Sequence, residues 1–208
     1  EEPDARVVVL RSEGTGPFCA GASFDEMKAV ADDAAGREFF SGFAKVILAM
    51  TRAPQFVIIR VQGKVTGGGV GLVAASDCAL AMRGASLKLS ELAVGLGPFV
   101  IGPAVERKVG RGPFAALSID ADWRDAEWGE RHGLYARLFD DVAALDDAVQ
   151  RLAGFLAGAN PDAMRQMKQL FWADTRDWET LLDQRAAISG TLALSDHTRA
   201  AIQRSERK

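Results

Sequence analysis

Apolar positions along this chain keep two different periods, and the two alternate. Short unbroken runs occur at Val7-Val8-Val9-Leu10, Phe56-Val57-Ile58-Ile59 and Cys78-Ala79-Leu80-Ala81-Met82. Runs of this length, rich in β-branched residues, read as strands. They predict a buried strand over residues 6–11, a second over 55–61, a third over 78–82 and a short one over 86–89. Between the first two runs the spacing changes. Phe39, Phe40, Phe43, Val46, Ile47 and Met50 recur at helical intervals and predict a helix whose aromatic stripe packs into the core. Ser23-Phe24-Asp25-Glu26 fits a capping box, with Asp25 and Glu26 suited to the positive end of a helix dipole. A short helix is predicted over 68–76. Residues 95–103 hold three glycines and two prolines, a loop ahead of a helix near 104–109. Strands alternating with helices point to βαβ units and a parallel component.

After Gly112 helical spacing dominates. A short helix over 125–132 ends at Gly133, a good C-terminal glycine. A strand-like stretch over 134–139 follows, then a helix over 146–156. Pro161 suits the first position of the next helix, with Asn160 as its cap. Helices over 178–192 and 195–204 complete the tail. The organisation is therefore an α/β core over 1–139 and a helical region over 140–208. At 208 residues one domain is the expectation, with the tail a layer on it.

Composition narrows the function more than it names it. Hydrophobic residues make up 48% and charged residues 25%, ordinary for a globular protein. The net charge of −3 leaves no basic footprint, which argues against nucleic acid as a partner. Asp77 and Arg83 interrupt the apolar stretch from Val70, so no run reaches membrane-spanning length and no membrane partner is expected. Glu1-Glu2-Pro3 does not open a signal peptide. Cys19 and Cys78 are too few for a disulfide framework, and a reducing cytoplasm is the default compartment. His132 and His197 stand in charged, surface-like helical contexts; with two scattered cysteines they make no zinc set. No G-x-S-x-G elbow supports a serine nucleophile.

Chemistry gathers instead at two junctions far apart in the chain. Phe18-Cys19-Ala20-Gly21-Ala22-Ser23 and Gly63-Lys64-Val65-Thr66-Gly67-Gly68-Gly69-Val70 each lead from a strand-like run into a helix-like run. Small residues let peptide N–H groups approach a ligand closely, and a helix start leaves N–H groups unpaired. Two such junctions face to face make a two-donor pocket for a developing oxyanion. The glycine run is neither a phosphate loop nor a dinucleotide fingerprint. No Gly-Lys-Ser/Thr follows it, and Leu72 stands where the third fingerprint glycine belongs. Close helix-on-sheet packing is the plain alternative for it.

The two segments, in this order, resemble the crotonase superfamily of enoyl-CoA hydratases and isomerases. The resemblance spans essentially the whole chain. It implies a crotonase-like spiral of ββα turns with a C-terminal helical trimerisation region, and a homotrimer or hexamer. It implies that the N–H groups of Ala22 and Gly68 hold a thioester oxygen. Glu91, in Lys88-Leu89-Ser90-Glu91-Leu92, matches the family's second catalytic glutamate. Ala20, Ala22, Ser23 and Phe24 match the stretch that binds the CoA nucleotide, with Ser23 where the family usually has Asp. The substrate implied is an acyl-CoA thioester, with CoA as part of it and no separate cofactor or metal. Gly71 departs from the pattern, since typical hydratases carry their first catalytic glutamate there. That favours double-bond isomerisation by one carboxylate, unless Asp120, Asp122 or Glu127 supplies a second. Lys88-Leu89-Ser90-Glu91 through Pro103-Ala104-Val105-Glu106-Arg107-Lys108 is similar to the methylglutaconyl-CoA hydratase branch, which favours hydration or dehydration of a branched acyl-CoA. A non-catalytic acyl-CoA-binding or scaffold protein is the third possibility. The resemblance further implies a leading strand and helix before residue 6 that this sequence does not carry, and hence an exposed sheet edge there.

Overall fold

The computed structural model describes residues 5–205. In chain order, strand β1 (Val7–Arg11) is followed by α1 (Phe24–Lys28), the long α2 (Asp33–Arg52), β2 (Phe56–Val61), β3 (Val65–Thr66) and α3 (Gly68–Ala74). Then come β4 (Cys78–Met82), β5 (Ser86–Lys88), α4 (Gly102–Val109), α5 (Arg111–Asp120), β6 (Arg124–Asp125), α6 (Ala126–Arg131) and β7 (Arg137–Phe139). The tail holds α7 (Val142–Gly158), α8 (Pro161–Phe171), α9 (Trp178–Ala193) and α10 (Asp196–Ser205). Among the described residues no helix is long and apolar enough to cross a membrane.

Two sheets organise the core. The larger has the order β1-β2-β4-β7 with every pair parallel, in a register that sets Val7 beside Phe56, Ile58 beside Cys78 and Leu80 beside Arg137. Strand β2 is buried along its whole length because both faces are covered. Val57, Ile59 and Val61 join the main core, whereas Ile58 points the other way, into Leu80, Phe139, Leu145 and Val149 under α7. A strand covered on both faces reads in sequence as an unbroken apolar run. On the α7 face Arg60, itself buried, donates to Asp146 at 2.5 Å. β1 corrects the expectation of a buried strand: it lies at the sheet edge, with Val8 and Val9 40% and 36% exposed.

The smaller sheet, β3-β5-β6, contains two strands of two residues each, too short for any periodicity to reveal. The strand predicted over 134–139 shortens to β7 because the N–H groups of Leu134 and Tyr135 donate to the carbonyl of Gly129, at 2.8 and 3.2 Å. The capping predictions hold: Ser23 accepts from the N–H of Glu26, Asn160 caps α8 ahead of Pro161, and Gly133 adopts φ +75°.

Two of the contacts that anchor the helical tail lie on α9 and α8. α9 lies against α2 where two glycines meet, so closely that a Cβ on Gly36 would stand 2.7 Å from Cα of Gly190. α8 is held by Lys168, almost fully buried, whose ammonium donates to Met50 O, Gln55 O and Asp77 Oδ2 at 2.8, 2.9 and 2.6 Å. Asp77 also accepts from Val57 N and Trp172 Nε1, so this buried ion pair leaves none of the ammonium's donors idle.

Candidate active site

The two glycine-bearing junctions lie side by side. Phe18 N donates to Lys64 O and Thr66 N donates to Cys19 O, each at 2.9 Å, so residues 18–20 run parallel to β3. On the other side of β3, Thr66 pairs with Lys88, and Gly67 N donates to Lys88 O at 2.9 Å. These bonds bring residues 19–22, 66–68 and 88–91 to one place. Gly67 turns the chain there with φ +53° and ψ −121°, in the left-handed region that favours glycine. That turn opens α3, with Gly68 as its first residue. Gly21 has φ +91°, and a Cβ on it would stand 3.2 Å from Thr66 O and 3.8 Å from Gly68 N. Ala22 and Gly68 both line a cavity of about 70 Å³. Among the described residues neither of their N–H groups has a backbone acceptor.

Glu91 reaches the same cavity from the turn after β5. The residue is half-buried, but its Oε2 is enclosed and has no hydrogen-bond partner. Oε1 lies over Gly67, 3.2 Å from where a Cβ would be. Burial pushes the carboxyl up from 4.5 to about 7, against a weaker opposing pull from the backbone N–H groups of Glu91 and Ser90. The rest of the cavity wall is uncharged, with Phe24, Phe40, Phe43, Leu96 and Ile101 prominent in it. A buried carboxyl poised near neutrality, beside two free peptide donors, can exchange protons with a bound carbon acid.

Other predicted residues fall elsewhere. Phe24 joins Ala22 on the cavity wall, whereas Ala20 and Ser23 are exposed and outside it. Asp120 and Asp122 lie off this cavity wall: Asp120 bonds to Arg124, and Asp122 accepts from Trp123 N at 2.8 Å. Glu127 is likewise engaged, with Arg83 at 3.0 Å. None of the three lines the cavity. His132 packs against Trp128, with ring centroids 4.4 Å apart, and His197 is exposed. At Gly71 a Cβ would overlap the side chain of Ile101, so an isoleucine from the start of α4 fills that space. A Cβ on Gly68 would overlap the ring of Phe43. Helical spacing marks Phe43 as an apolar stripe residue; nothing local to it reveals that its ring lies over a glycine from another segment.

With that geometry the relatives can be compared. The sequence profile described as enoyl-CoA hydratase/isomerase matches residues 1–207. The chain belongs to that family. Among relatives, a mevalonyl-coenzyme A hydratase, SIDH, of Beauveria bassiana is 32% identical over 78% of this chain and 61% of its own length. The human mitochondrial methylglutaconyl-CoA hydratase is 28% identical over 78% of this chain and 49% of its own. The bacillaene synthase dehydratase PksH of Bacillus subtilis is 38% identical over 45% of this chain and 37% of its own. The chain thus spans less than two thirds of the length of each of these relatives. A solved enoyl-CoA hydratase from Mycobacterium avium superposes with a TM-score of 0.84 at 27% identity, covering 97% of this chain and 76% of that one. The fold is the crotonase fold, and the members of this family are acyl-CoA enzymes of the hydratase and isomerase type.

Proposed function

We propose that this chain is an acyl-CoA isomerase working with one carboxylate. The observation that carries the reading is that Glu91 is the one ionisable group on the cavity wall among the described residues, while Ile101 occupies the side-chain space at Gly71. The N–H groups of Ala22 and Gly68 hold the thioester oxygen, and the CoA nucleotide lies along the stretch from Ala20 to Phe24. Glu91 takes a proton from Cα of a 3-enoyl thioester. The electron pair moves onto the thioester oxygen, giving a dienolate, and each oxyanion donor lowers that barrier by ~3 kcal/mol. Glu91 then returns the proton to Cγ, leaving a 2-enoyl thioester. A carboxyl near 7 suits both halves, since it must accept and release the same proton at neutral pH. No metal or redox step enters the scheme.

A second reading is hydration of a branched enoyl-CoA, which the relatives named as hydratases favour. Turnover decides between them. The expected result is that 3-enoyl-CoA gains conjugated-enoyl absorbance faster than crotonyl-CoA loses it. Glu91→Gln should abolish most turnover while acyl-CoA affinity stays within about tenfold, ~1.4 kcal/mol. Faster hydration than isomerisation would replace this reading with the second. Binding without turnover of either substrate would make the chain an acyl-CoA carrier.

A further inference from the structure

Beside the loop that walls the Glu91 cavity lies a second, larger cavity, lined by Arg111, which pairs with Glu106, and by Arg185, which pairs with no carboxylate among the described residues. The two share Pro98 and Phe99 as a common wall. The second has a volume of about 410 Å³ and is largely apolar, with Phe114, Ala115 and Ile119 on its sides. The residues that divide the two are Pro98 and Phe99. Phe99 N donates to Gly97 O at 2.7 Å, and the ring of Phe99 folds back over Gly97, where a Cβ would stand 2.6 Å from it.

Arg185 of α9 also lines the second cavity. Ser189, one helical turn further along α9, lines the first. One helix therefore runs along both chambers. Arg185 is half-buried, and Nη1 donates to Phe99 O at 3.3 Å, a long bond to a neutral acceptor. Among the described residues it makes no ion pair. The one carboxylate on this wall, Glu106, is paired with Arg111 at 2.9 Å. A guanidinium presents five donors in a fork suited to a carboxylate, and Arg185 uses one of them.

Resting on the reading that the Glu91 cavity takes an acyl-CoA, we propose that its substrates carry a second carboxylate at the far end of the acyl chain. The reacting carbons lie beside Glu91, the chain passes Phe99, and the distal carboxylate is received by Arg185. Phe99 and Arg185 are then the residues that set acyl specificity.

Equilibrium binding tests this without requiring turnover. Hexanoyl-CoA and adipoyl-CoA have the same acyl chain length and differ by the terminal carboxylate. Calorimetric titration of the intact chain should show adipoyl-CoA binding about tenfold tighter or better at low salt. In Arg185→Met the ratio of the two affinities should collapse to about one, and in Arg185→Lys it should fall between, since the charge remains but the fork is lost. Thermal melts check that both variants are folded. Equal affinity of the unaltered chain for the two thioesters would overturn the proposal, as would a preference for adipoyl-CoA that survives in Arg185→Met. Isomerisation of a neutral 3-enoyl-CoA is scored separately. Its presence with no carboxylate preference sinks the Arg185 assignment alone; its absence with a clear preference sinks the catalytic reading alone.

Discussion

Glu91 holds its proton until about pH 7, although an exposed glutamate releases it near 4.5. Between those values the unfolded chain has lost a proton that the folded chain keeps. Folding stability therefore falls as pH rises through this window, and the penalty is complete above about pH 7. Glu91→Gln removes the titration. Its melting temperature should match the parent's near pH 4 and exceed it at about pH 8, and a variant less stable at the higher pH would mean the carboxylate is held by donors after all. Under the proposed mechanism activity runs the other way: Glu91 must be ionised to take the proton, so kcat/KM should rise with pH and level off above about 7. Gly68 makes a second residue-scale case. Alanine there is no mild control, because its methyl meets the Phe43 ring. Gly68→Ala should lose turnover, Gly68→Ala with Phe43→Leu should regain part of it, and Gly68→Pro with Phe43→Leu should not, because proline lacks the N–H. Equal activity of the two double variants would remove that N–H from the mechanism. Ala22, Gly68 and Glu91 could be singled out from short segments, and they do line one cavity, because small-residue junctions and a lone carboxylate are visible locally. Phe43 could not, because its place over Gly68 is set by how α2 crosses α3.

At the scale of elements, the same logic applies to Gly71 and Ile101, which belong to α3 and to the start of α4. A missing glutamate is visible in sequence. That its space is filled by a side chain thirty positions away is not. Gly71→Glu alone should therefore overpack the site, at ~1–3 kcal/mol, without gaining hydration. Paired with Ile101→Gly it has room, and crotonyl-CoA hydration, followed as loss of enoyl absorbance, should rise above that of the single variant. No rise would mean the new carboxylate does not face the substrate. The strand pattern was legible where both faces are covered, as in β2, since burial there demands an unbroken apolar run. β1 carries a similar run but lies at an edge, and nothing within five residues distinguishes the two. β3 and β6 are defined by pairing with β5, and β3 also by its bridge to Cys19, so tertiary pairing and not local preference defines them.

Across the whole molecule, α2 and α9 join the two ends of the sequence through a contact that only glycine permits. Gly36→Ala should destabilise by ~1–3 kcal/mol, because its methyl meets backbone that cannot give way. Gly42→Ala, in the same helix but with nothing within 4 Å, should stabilise by ~0.5–1 kcal/mol. Urea melts of the two variants should move in opposite directions, and a shared direction would mean that helix preference outweighs the contact. The glycine contact also has a consequence for the order of synthesis. Residues 33–52 leave the ribosome before the surface that covers them, at 178–193. Until residues 178–193 emerge, α2 holds an apolar flank that its own chain cannot yet shield. A ribosome stalled before residue 178 should display that flank to hydrophobic dyes and to holdase chaperones, and the released, folded chain should not.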